Sequence, residues 1–369
     1  MSEEETTGEV LKQRQWVALR GGSLDVRGGK GICGHFARDL RTAIGKPHDC
    51  ALLSEAGTPS ELVEAVHRDF SDQGYTVHAH QMPDGACDLA QVERLDRVLA
   101  ESGITADDAV VVLGGLETLS VASFACSSWC GGVSLVEVPL DAPSAIVAAP
   151  TPRALDLPGL PRVVSQEGSA RFSIVDVGAF ETNPASEEMR HAFALMVAAA
   201  MCDGNKALEH LWDAADDLAS GNEQVIMRQI LDSVKSRGRV AASTAASTRQ
   251  SIVYGTELAR ALASVVGPAV PASVLLADGM RFAARLAVAT DALSVDDMFT
   301  QDELLERLGV GTTEVPVDPD ELVAALRAER FRRSRRFMLA LPRSLGRVRL
   351  SIVDDDLLAE HVAAWCSSR

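Results

Sequence analysis

The sequence predicts an α/β N-terminal domain followed by an all-α C-terminal domain, on three observations. In the first half, short apolar runs alternate with amphipathic stretches, the pattern of βαβ units with helices on both faces of a parallel sheet. Two of those runs, residues 109–113 and 134–138, are apolar nearly throughout, as strands buried on both faces must be. After the dipeptide Asn183-Pro184 the strand-like runs give way to a succession of helical periods. The expected domains are therefore residues 1–183, built on a Rossmann-like parallel sheet, and residues 184–369, helical with a small late hairpin.

Residues 1–13 are polar and are expected to be loose. Residues 16–19, 24–26, 50–53, 75–79 and 172–177 read as further strands, and 36–44, 60–73 and 89–102 as the intervening helices. Thr58-Pro59-Ser60 reads as the cap of the second of these helices. The segment 139–168 carries six prolines and reads as a loop crossing the cleft between the domains. In the second half, helices are expected over 186–201, 206–219, 223–236, 249–266, 273–289, 300–308 and 318–329, several of them starting at Asp or Ser. Residues 337–342 and 347–352 read as the hairpin.

Bulk composition narrows the function classes. A hydrophobic content of 47% supports a substantial core, and an aromatic content of only 4% makes that core one of Ala, Val and Leu. A formal net charge of −17 repels nucleic acid and anionic membrane, so neither is an expected partner. No apolar run approaches the roughly 18 residues of a membrane span. The N-terminus is acidic, unlike a secretory or mitochondrial leader, and the seven cysteines are odd in number with no CxxC spacing. They read as reduced, mostly buried thiols of a cytoplasmic protein.

The residues that could carry chemistry lie in an ordered series. The first apolar strand runs into Gly114-Gly115, followed by Leu116 and Ser120; the second ends at Pro139-Leu140-Asp141. Then come Arg153, Val175-Asp176, Phe193-Ala194-Leu195-Met196, Lys235, Arg249, Val253-Tyr254-Gly255-Thr256, Arg260, the stretch 271–280 and Gly346-Arg347-Val348. In order and spacing this series resembles the 3-dehydroquinate synthase family, the sugar phosphate cyclases, from residue 24 to the C-terminus. The resemblance implies a dehydroquinate-synthase-like fold. In the family, NAD binds the first domain and a divalent metal, usually zinc, sits in the cleft, where the enzyme oxidises a sugar phosphate, eliminates phosphate, reduces the product and closes a carbocycle.

The same resemblance implies that this chemistry is lost. The glutamate ligand of the family's Gly-x-Ala-Glu-Val-Ile-Lys motif falls at Leu195, and its lysine at Ala198. The two histidine ligands fall at Thr256 and at Pro271-Ala272, and the catalytic histidine falls at Arg260. Zinc takes nitrogen, sulfur or carboxylate ligands, so no metal is expected. Leu116 stands for the third glycine of the NAD turn, Ser120 for an aspartate, Leu140-Asp141 for a threonine pair, and Ala86 and Leu89 for a glutamate and a lysine. A pyrophosphate needs close backbone approach and no opposing charge, so no cofactor is expected. One feature points the other way: Gly29-Lys30-Gly31-Ile32-Cys33-Gly34 is a formal GxGxxG followed by Glu55, which reads either as a dinucleotide fingerprint or as a glycine-rich turn.

Several cations of the family pocket are kept or replaced. Lys235 and Arg249 retain the family's spacing of fourteen residues, Arg153 falls at the lysine of a loop, and Arg260 adds a charge to the same wall. Arg330, Arg332 and Arg333 loosely replace a late Asp-Lys-Lys motif. These either line a pocket for an anionic ligand or form ion pairs and solvated surface. The site expected on the first reading has Arg260 and Lys235 as catalytic groups and Arg153, Arg249 and Thr256 as substrate contacts. His78 and His80 share a strand face, and Cys126 and Cys130 stand four residues apart. The histidines could be metal ligands or surface residues, and the cysteines a redox pair or small buried ones.

Two functions of different class follow. One is a repurposed biosynthetic enzyme, in secondary metabolism, that acts without metal or NAD on an anionic small molecule by cyclisation, elimination or isomerisation. The other is a non-catalytic pseudoenzyme subunit that pairs with an active relative and stabilises or regulates it. The resemblance implies a homodimer, or a heterodimer with a related protein, formed through the first domain near the apolar strand 134–138.

Overall fold

The computed structural model describes residues 13–45, 48–82, 85–168 and 170–369. The described residues divide into two compact units, one of residues 13–16, 24–149 and 153–180, the other of residues 17–23, 150–152 and 181–369; the loose N-terminus expected over 1–13 lies, but for Gln13, outside the described residues. The boundary at 180/181 lies close to the Asn183-Pro184 dipeptide, but the sequence carries no sign that 17–23 and 150–152 group with the helical unit. No described helix is long and apolar enough to cross a membrane.

The first unit is built on a seven-stranded sheet of β1 (Gln13–Leu19), β2 (Gly22–Gly29), β3 (Asp49–Ser54), β4 (Thr76–Gln81), β5 (Ala109–Gly114), β6 (Ser134–Pro139) and β9 (Ala170–Asp176). Its order is β1-β2-β9-β6-β5-β3-β4, and β2, β9, β6, β5, β3 and β4 pair in parallel. Parallel pairing needs crossovers, supplied by α1 (Ala37–Ile44), α2 (Ser60–Asp72), α3 (Leu89–Glu101) and α4 (Leu116–Ser128). Every residue of β5 is buried, which accounts for its unbroken apolar run. One face of the sheet packs on Phe36, Leu40, Val66 and Phe70 of α1, α2 and their approach. Strand β6 is central, flanked by β5 and β9, so its apolar character serves the core and offers no free edge to a partner.

Local chemistry departs from expectation in three places. Helix α2 begins after Pro59 with no side-chain cap, so Thr58 and Ser60 do not close it; Asp69, within the helix, instead accepts the N–H groups of Phe36 and Ala37 that start α1. Cys130 lies beyond the end of α4 in a left-handed conformation (φ 51°) and is exposed, while Cys126 is buried, so the two do not form a helical pair. The proline-rich segment is not a single loop. It folds into α5 (Ala142–Val147), which accepts Pro143 in its first turn, and an antiparallel hairpin of β7 (Arg153–Leu157) and β8 (Leu160–Gln166).

The second unit is helical: α6 (Glu187–Asp203), α7 (Asn205–Ala219), α8 (Glu223–Ala242), α9 (Ala246–Arg249), α10 (Thr256–Val266), α11 (Ala272–Ala289), α12 (Val295–Arg307), α13 (Pro319–Phe331) and α14 (Asp355–Ser367), with the hairpin β10 (Met338–Ser344) and β11 (Arg347–Ile352). Side chains of Ser186, Asn222, Ser294, Asp318 and Asp354 cap α6, α8, α12, α13 and α14. The single helix expected over 249–266 is instead broken at Gly255, which takes φ 75°.

Candidate functional site

The turn from β5 into α4 is where a dinucleotide would meet the sheet. Its glycines are retained, and the chain itself fills the space in front of them. Glu55, just past β3, accepts the N–H of Gly115 (2.8 Å) and the hydroxyl of Thr118 (2.9 Å) with one carboxylate oxygen. A Cβ on Gly114 would lie 2.8 Å from that oxygen, and one on Gly115 would lie 3.2 Å from Asp141 Oδ2. Asp141 is held there by capping α5, accepting Ser144 N–H (2.7 Å) and Ser144 Oγ–H (2.6 Å). Ser120 is buried and donates to Leu116 O (2.6 Å), so it offers nothing to a ligand. The cavity beside the turn, bordered by Glu55, Glu117, Ala86 and Cys87, holds about 190 Å³. Cofactor and ligand pockets start near about 300 Å³. A pyrophosphate brought here would meet two carboxylates and find the helix N-terminus already occupied. These residues do not fit NAD.

The second glycine-rich segment is closed in the same way. Asp176, at the end of β9, accepts the N–H groups of Gly31 (2.7 Å) and Gly178 (2.9 Å) on one oxygen and of Cys33 (2.8 Å) on the other. Gly31 and Gly34 take φ 68° and 92°, which is why the turn needs glycine. Of its two readings, the structural turn is the one the geometry supports.

The metal positions sit on well-formed helices with the wrong chemistry. Leu195 is half-buried on α6, Thr256 is the first residue of α10, and Ala272 is the first of α11. A leucine and an alanine cannot ligate, and one threonine hydroxyl does not make a zinc site. Among the described residues no three His, Cys, Asp or Glu side chains gather closely enough to hold a metal. The surrounding motif survives for packing. A Cβ on Gly279 would lie 1.9 Å from Gly255 O, so the two glycines let α10 and α11 touch backbone to backbone. Tyr254 is buried and donates to Gln301 Oε1 (2.5 Å).

The cations expected to form one wall do not share a setting. Arg153 lies on β7 in the first unit, fully buried, and pairs with Glu137 of β6. Burial pushes the Glu137 carboxyl up and the Arg153 guanidinium down, and each opposes the other's shift. Arg153 therefore makes an internal ion pair, and substrate contact is not open to it. Arg249 donates to Ser243 O (2.7 Å) at the end of α8. Arg260 pairs with Glu329 (3.3 Å), a buried carboxylate that also holds Arg332 (3.3 Å) and Arg333 (2.7 Å). Arg330 pairs with Glu257 (3.1 Å), whose carboxyl is pushed up by burial against the pull of Arg330. Lys235, on α8, makes no ion pair among the described residues. Sequence reasoning did not find Glu137 as the partner of Arg153, Glu329 as that of Arg260, or Glu55 and Asp176 as acceptors for the glycine-rich turns, because each lies at least sixteen residues along the chain from those groups.

His78 meets Asp49 (2.7 Å) and His80 meets Ser102 (2.8 Å). Cys33, Cys50, Cys87, Cys126 and Cys202 are buried, and burial pushes the Cys87 thiol up to about 11.

Comparison with known proteins agrees with this geometry on the fold. No family model matches the chain. The 3-dehydroquinate synthase of Rhodopirellula baltica is 22% identical over 342 residues, spanning 91% of this chain and 90% of that protein. Among solved structures, a 2-deoxy-scyllo-inosose synthase complexed with carbaglucose-6-phosphate, NAD+ and Co2+ superposes with a TM-score of 0.82 at 18% identity, over 95% of this chain and 99% of that one. A 2-epi-5-epi-valiolone synthase from Streptomyces hygroscopicus, with NAD+ and Zn2+ bound, gives 0.77 at 14%, over the same shares.

Proposed function

Because the chain is a dehydroquinate-synthase-like member of the sugar phosphate cyclase family, we propose that it keeps the family's fold without its metal- and NAD-dependent reaction and works as a non-catalytic subunit beside a biosynthetic partner. Its relatives are biosynthetic cyclases, and the solved ones just described hold NAD and a divalent metal. The observation that carries the reading is Glu55 on the Gly115 N–H: the place for an anionic cofactor is taken by a carboxylate of the protein. The leucine and alanine at two metal positions agree with it. The alternative, a metal-free catalyst acting on an anion, needed Arg153, Lys235, Arg249 and Arg260 in one pocket, and Arg153 and Arg260 are instead paired with acids.

Thermal denaturation with increasing NAD tests this directly. A ligand at 100 times its Kd adds roughly 2.7 kcal/mol to stability. No rise in melting temperature is expected with millimolar NAD, and metal analysis of protein purified without chelator should find far less than one equivalent of zinc. A clear rise, or stoichiometric zinc, would refute the reading.

Alone, the protein should self-associate through its first unit. Leu89 and the two leucines paired across the β7–β8 hairpin, Leu157 and Leu160, are 49%, 37% and 42% exposed and supply apolar surface for a partner. Sedimentation at micromolar concentration should show a dimer. A monomer of 39.2 kDa would mean that the partner is a different chain.

A further inference from the structure

One face of the second unit departs from the charge of the rest of the chain. Residues 327–336, from the last turns of α13 to the approach to β10, hold six arginines and a single acid, Glu329, in a chain of net charge −17. Four of the six are answered. Glu329 holds Arg332 (3.3 Å) and Arg333 (2.7 Å), Glu257 holds Arg330 (3.1 Å) and Asp355 holds Arg327 (2.8 Å). Glu329 also pairs with Arg260, so one negative charge is divided among three guanidiniums. Arg335 and Arg336 are exposed and make no ion pair among the described residues. Their turn is held from behind: Arg330 Nε–H donates to Arg336 O (3.2 Å), and Arg336 N–H donates to Ser334 Oγ (3.2 Å). Charges on a backbone already fixed lose less freedom when a partner arrives.

Apolar side chains lie beside these charges. Phe331 is 49% exposed and packs on Phe337, with ring centroids 6.0 Å apart. Arg327 lies over the Phe337 ring on its way to Asp355. Ile352, 76% exposed, pairs across the β10–β11 hairpin with Met338, the residue after Phe337. A solvated loop accounts for exposed arginines, but leaves Phe331 and Ile352 in water beside them for no gain. Apolar surface rimmed by charge marks docking sites, and arginine with aromatic residues is the composition of protein–protein interfaces.

Charge says what docks. The free cations call for carboxylates or phosphates. A nucleic acid strand would carry its phosphates past the patch and against a chain of net charge −17, whereas a short acidic segment meets only the local field, within a Debye length of about 8 Å. A phosphate backbone would also leave Ile352 uncovered. Arg335 and Arg336 lie beyond the arginines that replace the family's late Asp-Lys-Lys motif, so the family resemblance gives them no role.

We propose that this face binds an acidic, amphipathic segment of a partner protein. Carboxylates of the segment meet Arg335 and Arg336, and its apolar side chains cover Phe331 and Ile352. The surface is where the non-catalytic subunit holds its partner; it rests on that reading for the partner's identity alone. The NAD and zinc measurements decide that reading, and peptide binding decides this one.

The probe is a short fluorescein-labelled peptide of alternating glutamate and leucine, titrated by fluorescence anisotropy at constant ionic strength. Saturable one-to-one binding is expected, weakened at least tenfold in Arg335→Glu/Arg336→Glu and in Phe331→Ser/Ile352→Ser. All four side chains are exposed, so the variants should melt as the parent does. Arg38→Glu/Arg228→Glu reverses two exposed arginines elsewhere, matches the change in net charge and should bind as the parent does. A peptide of alternating glutamate and serine should bind at least tenfold more weakly. Absence of saturable binding overturns the proposal, as does equal weakening in the Arg38→Glu/Arg228→Glu control or equal affinity for the serine peptide. An oligothymidylate that binds more tightly than the glutamate–leucine peptide would overturn it in favour of nucleic acid.

Discussion

Replacing Arg153 with methionine is expected to destabilise the first unit by about 3–5 kcal/mol, the usual cost of leaving one charge of a buried pair uncompensated. Arg153 and Glu137 join β7 to the central strand β6, and neither touches solvent. Three atoms of the pair, Glu137 Oε2 and Arg153 Nε and Nη1, have no hydrogen-bond partner. The pair is therefore imperfectly satisfied, and taking two ions out of water offsets most of their attraction. The double variant Glu137→Leu/Arg153→Met should consequently recover most of the loss or exceed the parent. Urea unfolding followed by circular dichroism reads both, through a midpoint that moves while the slope stays constant. A single variant costing under about 1 kcal/mol would show that water reaches the pair.

Asp176→Ala is expected to cost at least about 3 kcal/mol. The carboxylate accepts three backbone N–H groups, and hydrogen bonds to a charged group contribute about 1.5–3 kcal/mol each, without simple additivity. The loss should be local as well as global: amide exchange at Gly31 and Cys33 should lose protection while β5 keeps it. Asp176→Asn keeps one acceptor oxygen and should fall between. Unchanged exchange at Gly31 would mean that the glycine-rich turn holds itself, and the account of it as a self-closed anion site would fail.

Much of the first unit was legible because burial leaves a direct mark on composition. Strands β5 and β6 are apolar since both faces of the sheet are covered, and α2 and α3 show amphipathic faces bounded by polar ends. The β7–β8 hairpin was not legible. Of the prolines in 139–168, Pro139 ends β6, Pro143 lies in the first turn of α5, Pro150 and Pro152 precede β7, Pro158 sits in the turn of the hairpin and Pro161 lies on β8, and a count of prolines does not distinguish those places from a loop. Helix α12 begins at Val295, five residues before 300, because Ser294 caps it and its first turn is acidic, a signal outweighed by its exposed first-turn residues. The break at Gly255 follows from Gly279 on another helix, which no local window contains.

The sequence by itself determined the two-part architecture, the family resemblance and the absence of ligating side chains at Leu195 and Ala272, since these depend on local periodicity and residue identity. Only the tertiary structure decided what the charged residues do. An arginine's sequence neighbourhood does not say whether it meets a carboxylate, a carbonyl or solvent. Arg153 is neutralised by Glu137 sixteen positions away and Arg260 by Glu329 sixty-nine away, and the Gly115 N–H donates to Glu55 sixty away. Coulomb and hydrogen-bond energies depend on separation in space and on burial, and folding sets both.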